Sequence, residues 1–298
     1  ASHRRCYALA VFHPRGPTFL ELARQGLSST QRGYDLLAPK FDHTPFRTPD
    51  PIVRVVGERL ARRGRFADGL DLCCGTGVGL RLLQPLCARR VIGLDFSAGM
   101  LAEAGRQLGE HANVALVQGD ALALGFEDAF DVVASFGAFG HIPRRAQRRF
   151  VAGVFRALRP GGLFAFVCVP MPPPCSRPWL FGRGYNAVAH LRNLLVRPPF
   201  VMCYLTFTLG AAQRRLAAAG FEVEVERDLF PKPYQEAALV LARRGATPAR
   251  PDTARARRLR PPSRRAAGYA AYSPGAAGND AGSAPLAAQG RPSWPRWP

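Results

Sequence analysis

Between residues 34 and 245 the spacing of apolar side chains switches back and forth between two periods. "DPIVRVVGERLARRG" (50–64) places them three and four apart and stops at a glycine, the pattern of an amphipathic helix. "ADGLDLCC" (67–74) is a short apolar run of the kind that forms a buried strand, and a helix is expected from about Val78 to Ala88. "RRVIGLDFS" (89–97) and "NVALVQGD" (113–120) repeat the strand pattern. Between them "SAGMLAEAGRQLGEH" (97–111) reads as a helix with Ser97 as its N-cap. A fourth strand lies within "AFDVVASFGAFG" (129–140), a helix over 144–162 closes on Pro-Gly-Gly, and "LFAFVCV" (163–169) is a fifth strand. Strands alternating with helices imply parallel pairing through right-handed crossovers, hence a doubly wound α/β sheet. Then the pattern changes. A helix at 209–220 precedes "FEVEVERDLF" (221–230) and "EAALVLARR" (236–244), whose connection is too short for a helical crossover. These two strands predict an antiparallel hairpin.

The flanks lack such periodicity. Residues 1–33 read as a poorly structured N-terminal extension, and 246–298, rich in Ala, Pro, Arg and Gly, as a disordered tail. Within the domain at 34–245, the stretch 170–210 is longer than an ordinary connection and carries Trp179, Phe181, Tyr185, Phe200, Tyr204 and Phe207. It predicts a cap inserted at about 170–208. About half of these aromatics are expected to pack the cap on the domain. The rest should line a largely apolar pocket for an aromatic or lipid-like acceptor.

Composition changes this picture little. A hydrophobic fraction of 47% and a mean hydropathy of -0.07 are those of a globular protein. No apolar run is long enough to cross a bilayer and no secretory signal is evident, so a cytoplasmic protein is expected. The seven cysteines form no CxxC pair and no zinc-type cluster, so no metal site is expected. A net charge of +20 suggests nucleic acid, but its distribution argues otherwise. Residues 246–298 hold nine Arg against two acids, and residues 1–33 five Arg against one. Only Lys40 and Lys232 are lysines, a bias that a GC-rich genome explains as well as a binding surface does. No specific nucleic-acid partner is expected.

Candidate chemistry enters at the strand ends. In an open α/β sheet, ligands bind beyond the carboxyl ends of the strands where strand order reverses. "LDLCCGTGVG" (70–79) delivers Asp71, Gly75 and Gly77 to that rim, "VIGLDFS" delivers Asp95, and "LVQGDA" delivers Asp120. Three neighbouring acids call for a ligand with a cation, a diol and an amine donor. Asp71 suits an ammonium group, Asp95 the two hydroxyls of a ribose, and Asp120 the exocyclic amine of adenine, with the Ala121 amide facing a ring nitrogen. Gly75 and Gly77 let backbone pass close to an adenosyl group. S-adenosylmethionine carries all three features and no phosphate. Phe96, beside Asp95, and Ser135, at the end of the fourth strand, join this cofactor-binding set. The rival for the same glycines is a nicotinamide dinucleotide, whose pyrophosphate wants a free helix N-terminus. A second alternative is a basic nucleic-acid-binding or RNA-modifying protein on the same fold.

The run "DLCCGTG…VIGLDFSAGML…VQGDA…FDVVAS…LRPGG" resembles the class I S-adenosylmethionine-dependent methyltransferases, and is most similar to the small-molecule branch that includes quinone-biosynthesis enzymes. The resemblance implies a seven-stranded Rossmann-like sheet with its last strand antiparallel. It also implies that "QRGYDLLAPKFDHTPF" (31–46) is a lid, with Tyr34 over the methionine end of the cofactor. One position departs from the family: Cys73 stands where glycine is usual, which bears on cofactor affinity. Methyl transfer is an in-line displacement for which orientation is the enzyme's main contribution. The one histidine in the core motifs, His141, lies just past the fourth strand. It is a candidate general base for a small-molecule acceptor, or else a cap for the following helix.

Overall fold

The computed structural model describes residues 13–109 and 111–245, together with the backbone of 270–271. Seven strands, β1 (Phe66–Leu72), β2 (Cys87–Asp95), β3 (Val114–Gln118), β4 (Phe130–Ser135), β5 (Leu158–Cys168), β6 (Phe221–Glu226) and β7 (Ala238–Arg244), form one sheet in the order β6-β7-β5-β4-β1-β2-β3. β1 to β5 pair in parallel, while β7 runs antiparallel to both β5 and β6. The doubly wound sheet with an antiparallel finish is therefore as expected. A two-residue strand, β8 (Ala270–Ala271), adds to the outer edge of β3. The remainder of the 246–298 segment, for which disorder was expected, lies outside the described residues.

Alternation along the strands builds two cores. On β4 and β5, Val133, Phe164 and Phe166 face one side, and Val132, Ala134, Leu163 and Ala165 the other. Helix α6 (Gln147–Ala157) buries Phe150, Val151 and Val154 against the first side. Helix α3 (Asp50–Ala61) buries Ile52, Val56 and Leu60 against the second. At the N-terminal end of β1 the fully buried Asp68 accepts hydrogen bonds from Arg89, Arg90 and Arg159, and Asp131 accepts from the amides of Ala67 and Asp68. This end is a structural clamp, and the opposite rim is left for ligand.

Several boundaries differ from the sequence reading. Helix α4 (Val78–Leu83) ends early, because Pro85 turns the chain into a short 3₁₀ segment and β2 begins at Cys87. The Pro-Gly-Gly does not end α6 but lies inside β5, at a register shift where Gly161 takes a φ of 82°. Ser97 does cap α5 (Ala98–Leu108), its hydroxyl accepting from the Met100 amide.

The N-terminal reading needs correction for the described residues. Residues 13–33 are not unstructured: α1 (Phe19–Leu27) and the start of α2 (Thr30–Leu37) lie there. A Thr18/Glu21 capping box opens α1 and Ser29 caps α2, two local signals that hydrophobic period alone passes over. The cap region contains α7 (Arg177–Leu195), and α8 (Leu209–Ala218) follows it.

Candidate active site

Strand order reverses between β1, which pairs with β2 on one side, and β4 on the other. Above that switch point opens a cavity of about 700 Å³, within the range of small-ligand sites. Its floor is the set of loops that leave the carboxyl ends of β1 to β4. Its far wall is the strip from Val201 to Thr208, together with the lid residues Tyr34, Phe41 and Phe46.

Asp95, 5% exposed, lines the floor. One carboxylate oxygen accepts the Gly75 amide and the other the Ser97 amide, each at 2.9 Å, so the residue holds two strand-end loops together. Burial pushes its carboxyl up to about 6, against the pull of these amides. Phe96 lines the cavity beside it, and its carbonyl accepts from the side chains of Gln31 and Gln118. Asp120 and Ala121 also reach the cavity, with Asp120 exposed and capping the next turn through the Leu122 amide at 2.8 Å. Gly75, at φ 51°, lines the cavity as read from the sequence.

Three expected cofactor residues are not brought to the cavity. Asp71 is 1% exposed and lies under the first turn of α4, where the amides of Leu80 and Gly79 bond its carboxylate. Gly77, the N-cap of α4, has no side chain to satisfy those amides, and Asp71 does so from the adjacent strand. Burial raises its carboxyl to about 7, and its Oδ2 has no hydrogen-bond partner. Gly77, at φ 87°, forms the turn but packs toward Ala104 and Leu108 rather than the cavity. Ser135 is fully buried and donates to the Leu72 carbonyl at 2.8 Å, tying β4 to β1.

Asp71 also bears on the dinucleotide alternative. A pyrophosphate needs the free amides of the helix N-terminus. Here an internal carboxylate already occupies them.

Cys73 lines the cavity with a φ of 60°, a left-handed conformation that ordinarily selects glycine. The departure noticed in the sequence is thus a backbone feature, and the Cys73 side chain packs against the hydrophobic core beside the cavity.

Tyr34 and His141 meet on the cavity wall. The Tyr34 hydroxyl lies 2.7 Å from His141 Nε2, and His141 Nδ1 lies 2.7 Å from the Val201 carbonyl. A carbonyl only accepts, so Nδ1 carries the proton, and Nε2 accepts the Tyr34 hydrogen. Burial lowers the imidazole's proton affinity and raises the phenol's, so both groups are neutral at pH 7. His141 does not cap the following helix, because the N-cap of α6 is Ala146 and no side chain bonds there.

Sequence reasoning missed the ties that hold the lid. Asp35 accepts from the Ser97 hydroxyl and the Gly99 amide, and Asp42 accepts from Thr76 and Gln107. Of the six cap aromatics, Tyr204 and Phe207 line the cavity, and Phe200 stacks beside Tyr34 at 6.4 Å between ring centroids. Trp179, Phe181 and Tyr185 do not line it.

A family described as a methyltransferase domain matches residues 70–162. That stretch is similar to the methyltransferase domain family over about a third of the chain. The chain is 40% identical over 111 residues to a probable S-adenosylmethionine-dependent methyltransferase of Mycolicibacterium smegmatis, covering 37% of this chain and 41% of that protein. It is 40% identical over 110 residues to the demethylmenaquinone methyltransferase of Lactococcus lactis, covering 35% and 42%. It thus spans less than half the length of these curated relatives. Among solved structures, a DhpI–SAM–HEP complex is similar with a TM-score of 0.54 at 25% identity, over 76% of this chain and 100% of that one. The matched stretch runs from within β1 to within β5 and includes the Gly75 turn, Asp95, Asp120 and His141.

Proposed function

We propose that this chain transfers the methyl group of S-adenosylmethionine to a small, largely apolar acceptor. The observation that carries the reading is the convergence of Asp95, Asp120 and the Gly75 turn on one cavity whose opposite wall is aromatic. The residues fit the cofactor: a buried carboxylate for a ribose diol, an exposed one for an amine, and a turn without a Cβ. When bound, the cofactor supplies an electrophilic methyl on a cationic sulfur. The protein's own part is to orient, to exclude water and to keep the acceptor nucleophilic. Tyr34, Phe41, Phe46 and Phe207 form the apolar wall against which an acceptor ring would lie. The family's quinone methyltransferase members support that class of acceptor.

His141 is the proton acceptor in this reading. Its Nδ1 proton is held by Val201, so its Nε2 is the basic atom. Tyr34 stands on that atom, so an acceptor hydroxyl reaches the imidazole either by displacing the phenol or through it. The six described cysteines are free, which supports a reducing, cytoplasmic site of action. Among the described residues no helix is long and apolar enough to cross a membrane.

Calorimetry tests the cofactor assignment. Binding of S-adenosylmethionine in the micromolar range is expected; binding of NADH with none of S-adenosylmethionine would overturn it. Supplying cell extract with isotopically labelled cofactor then reads which molecular mass gains the methyl. Label found only in RNA or protein would replace the small-molecule acceptor with a macromolecule.

A further inference from the structure

Helix α7 is amphipathic in the reverse sense. Its large exposed apolar residues are Leu180, Phe181, Val188, Leu191, Leu194 and Leu195, between 54% and 75% exposed. At about 3.6 residues per turn these fall on one face. The opposite face carries Gly182, Asn186 and Asn193 and is the one turned to the protein. Asn186 bonds the backbone N–H and C=O of Tyr204, Asn193 does the same for Phe200, and Gly182 lies against Leu205. A helix on a water-exposed surface ordinarily turns its apolar stripe inward. Here polar side chains hold the roof of the cavity, and the apolar stripe faces out.

Charge decides what could cover that stripe. From residue 132 through residue 221 the chain contains twelve Arg and no Asp or Glu. Arg177, Arg183 and Arg197, all exposed, border the stripe and form no ion pair among the described residues. Arg192 ties the end of α7 to α1 by donating to the Ser28 carbonyl at 3.0 Å, and Leu27 beside it is 58% exposed. A second copy docked across this face would oppose arginine to arginine, and the Arg-rich segment 246–298 is repelled for the same reason. An anionic lipid surface complements both features, since apolar side chains enter the acyl boundary while guanidinium groups meet headgroup phosphates.

We propose that the outer face of α7 docks the protein on the surface of an anionic bilayer, leaving only α7 between the membrane and the cavity wall that its inner face holds. The inference rests on the reading of an apolar acceptor, which it refines: such an acceptor is drawn from the lipid phase rather than from water. α7 is then the membrane contact, and the strip it holds is the wall of the site.

The test uses the full chain with vesicles of phosphatidylcholine, with and without phosphatidylglycerol. Binding to the anionic vesicles is expected, and Leu191→Asp/Leu195→Asp should weaken it at least about tenfold. Both positions are exposed, so the fold should survive, as a thermal melt checks. Salt screens the basic tail and the bordering arginines alike, so the binding that persists at high salt is the apolar contribution of α7. With Trp179→Phe, Trp294→Phe and Trp297→Phe, a Leu194→Trp substitution on the exposed stripe gives a single tryptophan, and brominated lipid should quench it. Equal partitioning of the aspartate variant, an unquenched tryptophan in the Leu194→Trp chain, or a dimer that Leu191→Asp dissolves would each overturn the proposal. Cofactor binding by the same variant, read by calorimetry, should match the parent. A parent that binds S-adenosylmethionine but not the anionic vesicles condemns the docking face alone, whereas a parent that never binds S-adenosylmethionine condemns the function.

Discussion

Gly79→Ala separates the two roles open to Asp71, helix latch and cofactor ligand. An alanine inside a helix is ordinarily more stable than glycine by about 1 kcal/mol. Here a Cβ at position 79 would lie 2.4 Å from Asp71 Oδ1 and 2.6 Å from Oδ2, far inside van der Waals contact. Asp71 has no room to retreat, being 1% exposed and bonded by the amides of Gly79 and Leu80. Forcing extra volume into such a site costs about 1–3 kcal/mol, and losing a hydrogen bond to a charged group about 1.5–3 kcal/mol. Net of the helix propensity, the expected destabilisation is about 1.5–5 kcal/mol, opposite in sign to that propensity. Urea unfolding followed by far-UV circular dichroism measures it. In the pair Asp71→Ala/Gly79→Ala the clash is gone, so the two substitutions should couple favourably by about 2 kcal/mol. A Gly79→Ala chain as stable as the parent, or strictly additive energies in the pair, would refute the latch. If Asp71 instead faces the cofactor, Asp71→Asn lowers cofactor affinity and leaves the urea midpoint unchanged.

The remaining predictions address the cavity and the clamp. Asp95→Ala should cost about 2–4 kcal/mol of stability as well as cofactor affinity, because it strands the Gly75 and Ser97 amides; calorimetry beside a urea melt reads both. With its carboxyl raised to about 6, folded Asp95 holds a proton that the unfolded chain has released. Its contribution to stability therefore falls as pH rises from about 4 to 6, while affinity for a ligand that needs the carboxylate rises; melts with and without cofactor across that window show whether the trends oppose. His141→Gln should slow methylation of a phenol roughly 10²–10⁴-fold with cofactor affinity unchanged, and an unaltered rate at pH 7 would remove His141 from the chemistry. Asp68→Ala should cost about 2 kcal/mol. Burial opposes ionisation of Asp68, but its arginine partners hold its carboxyl below the usual range, so this contribution is full at neutral pH and fades as acid protonates the group; acid unfolding at a higher pH in the parent than in the variant would contradict that sign.

Much of this architecture was legible because the signals are local. A change of apolar period from two to 3.6 needs no knowledge of the fold, and it located every strand of the parallel core. The hairpin of β6 and β7 followed from the length of one connection. The acids at the ends of β1, β2 and β3 were likewise evident, since a strand that ends in a carboxylate ends at the rim. What such a carboxylate faces is a different matter, because its partner arrives through space. Asp95 and Asp71 both end parallel strands in short loops, yet one opens on the cavity and the other turns under α4, where Gly77 leaves amides unbonded. Ser135 was taken up by a neighbouring strand for the same reason: a buried hydroxyl goes to the nearest carbonyl, and register placed Leu72 there. The union of Tyr34 with His141 spans 107 positions, and no spacing in the chain announces it. The outward face of α7 lay equally out of reach. Sequence shows that a helix has an apolar side, but only packing decides which side the protein keeps for itself.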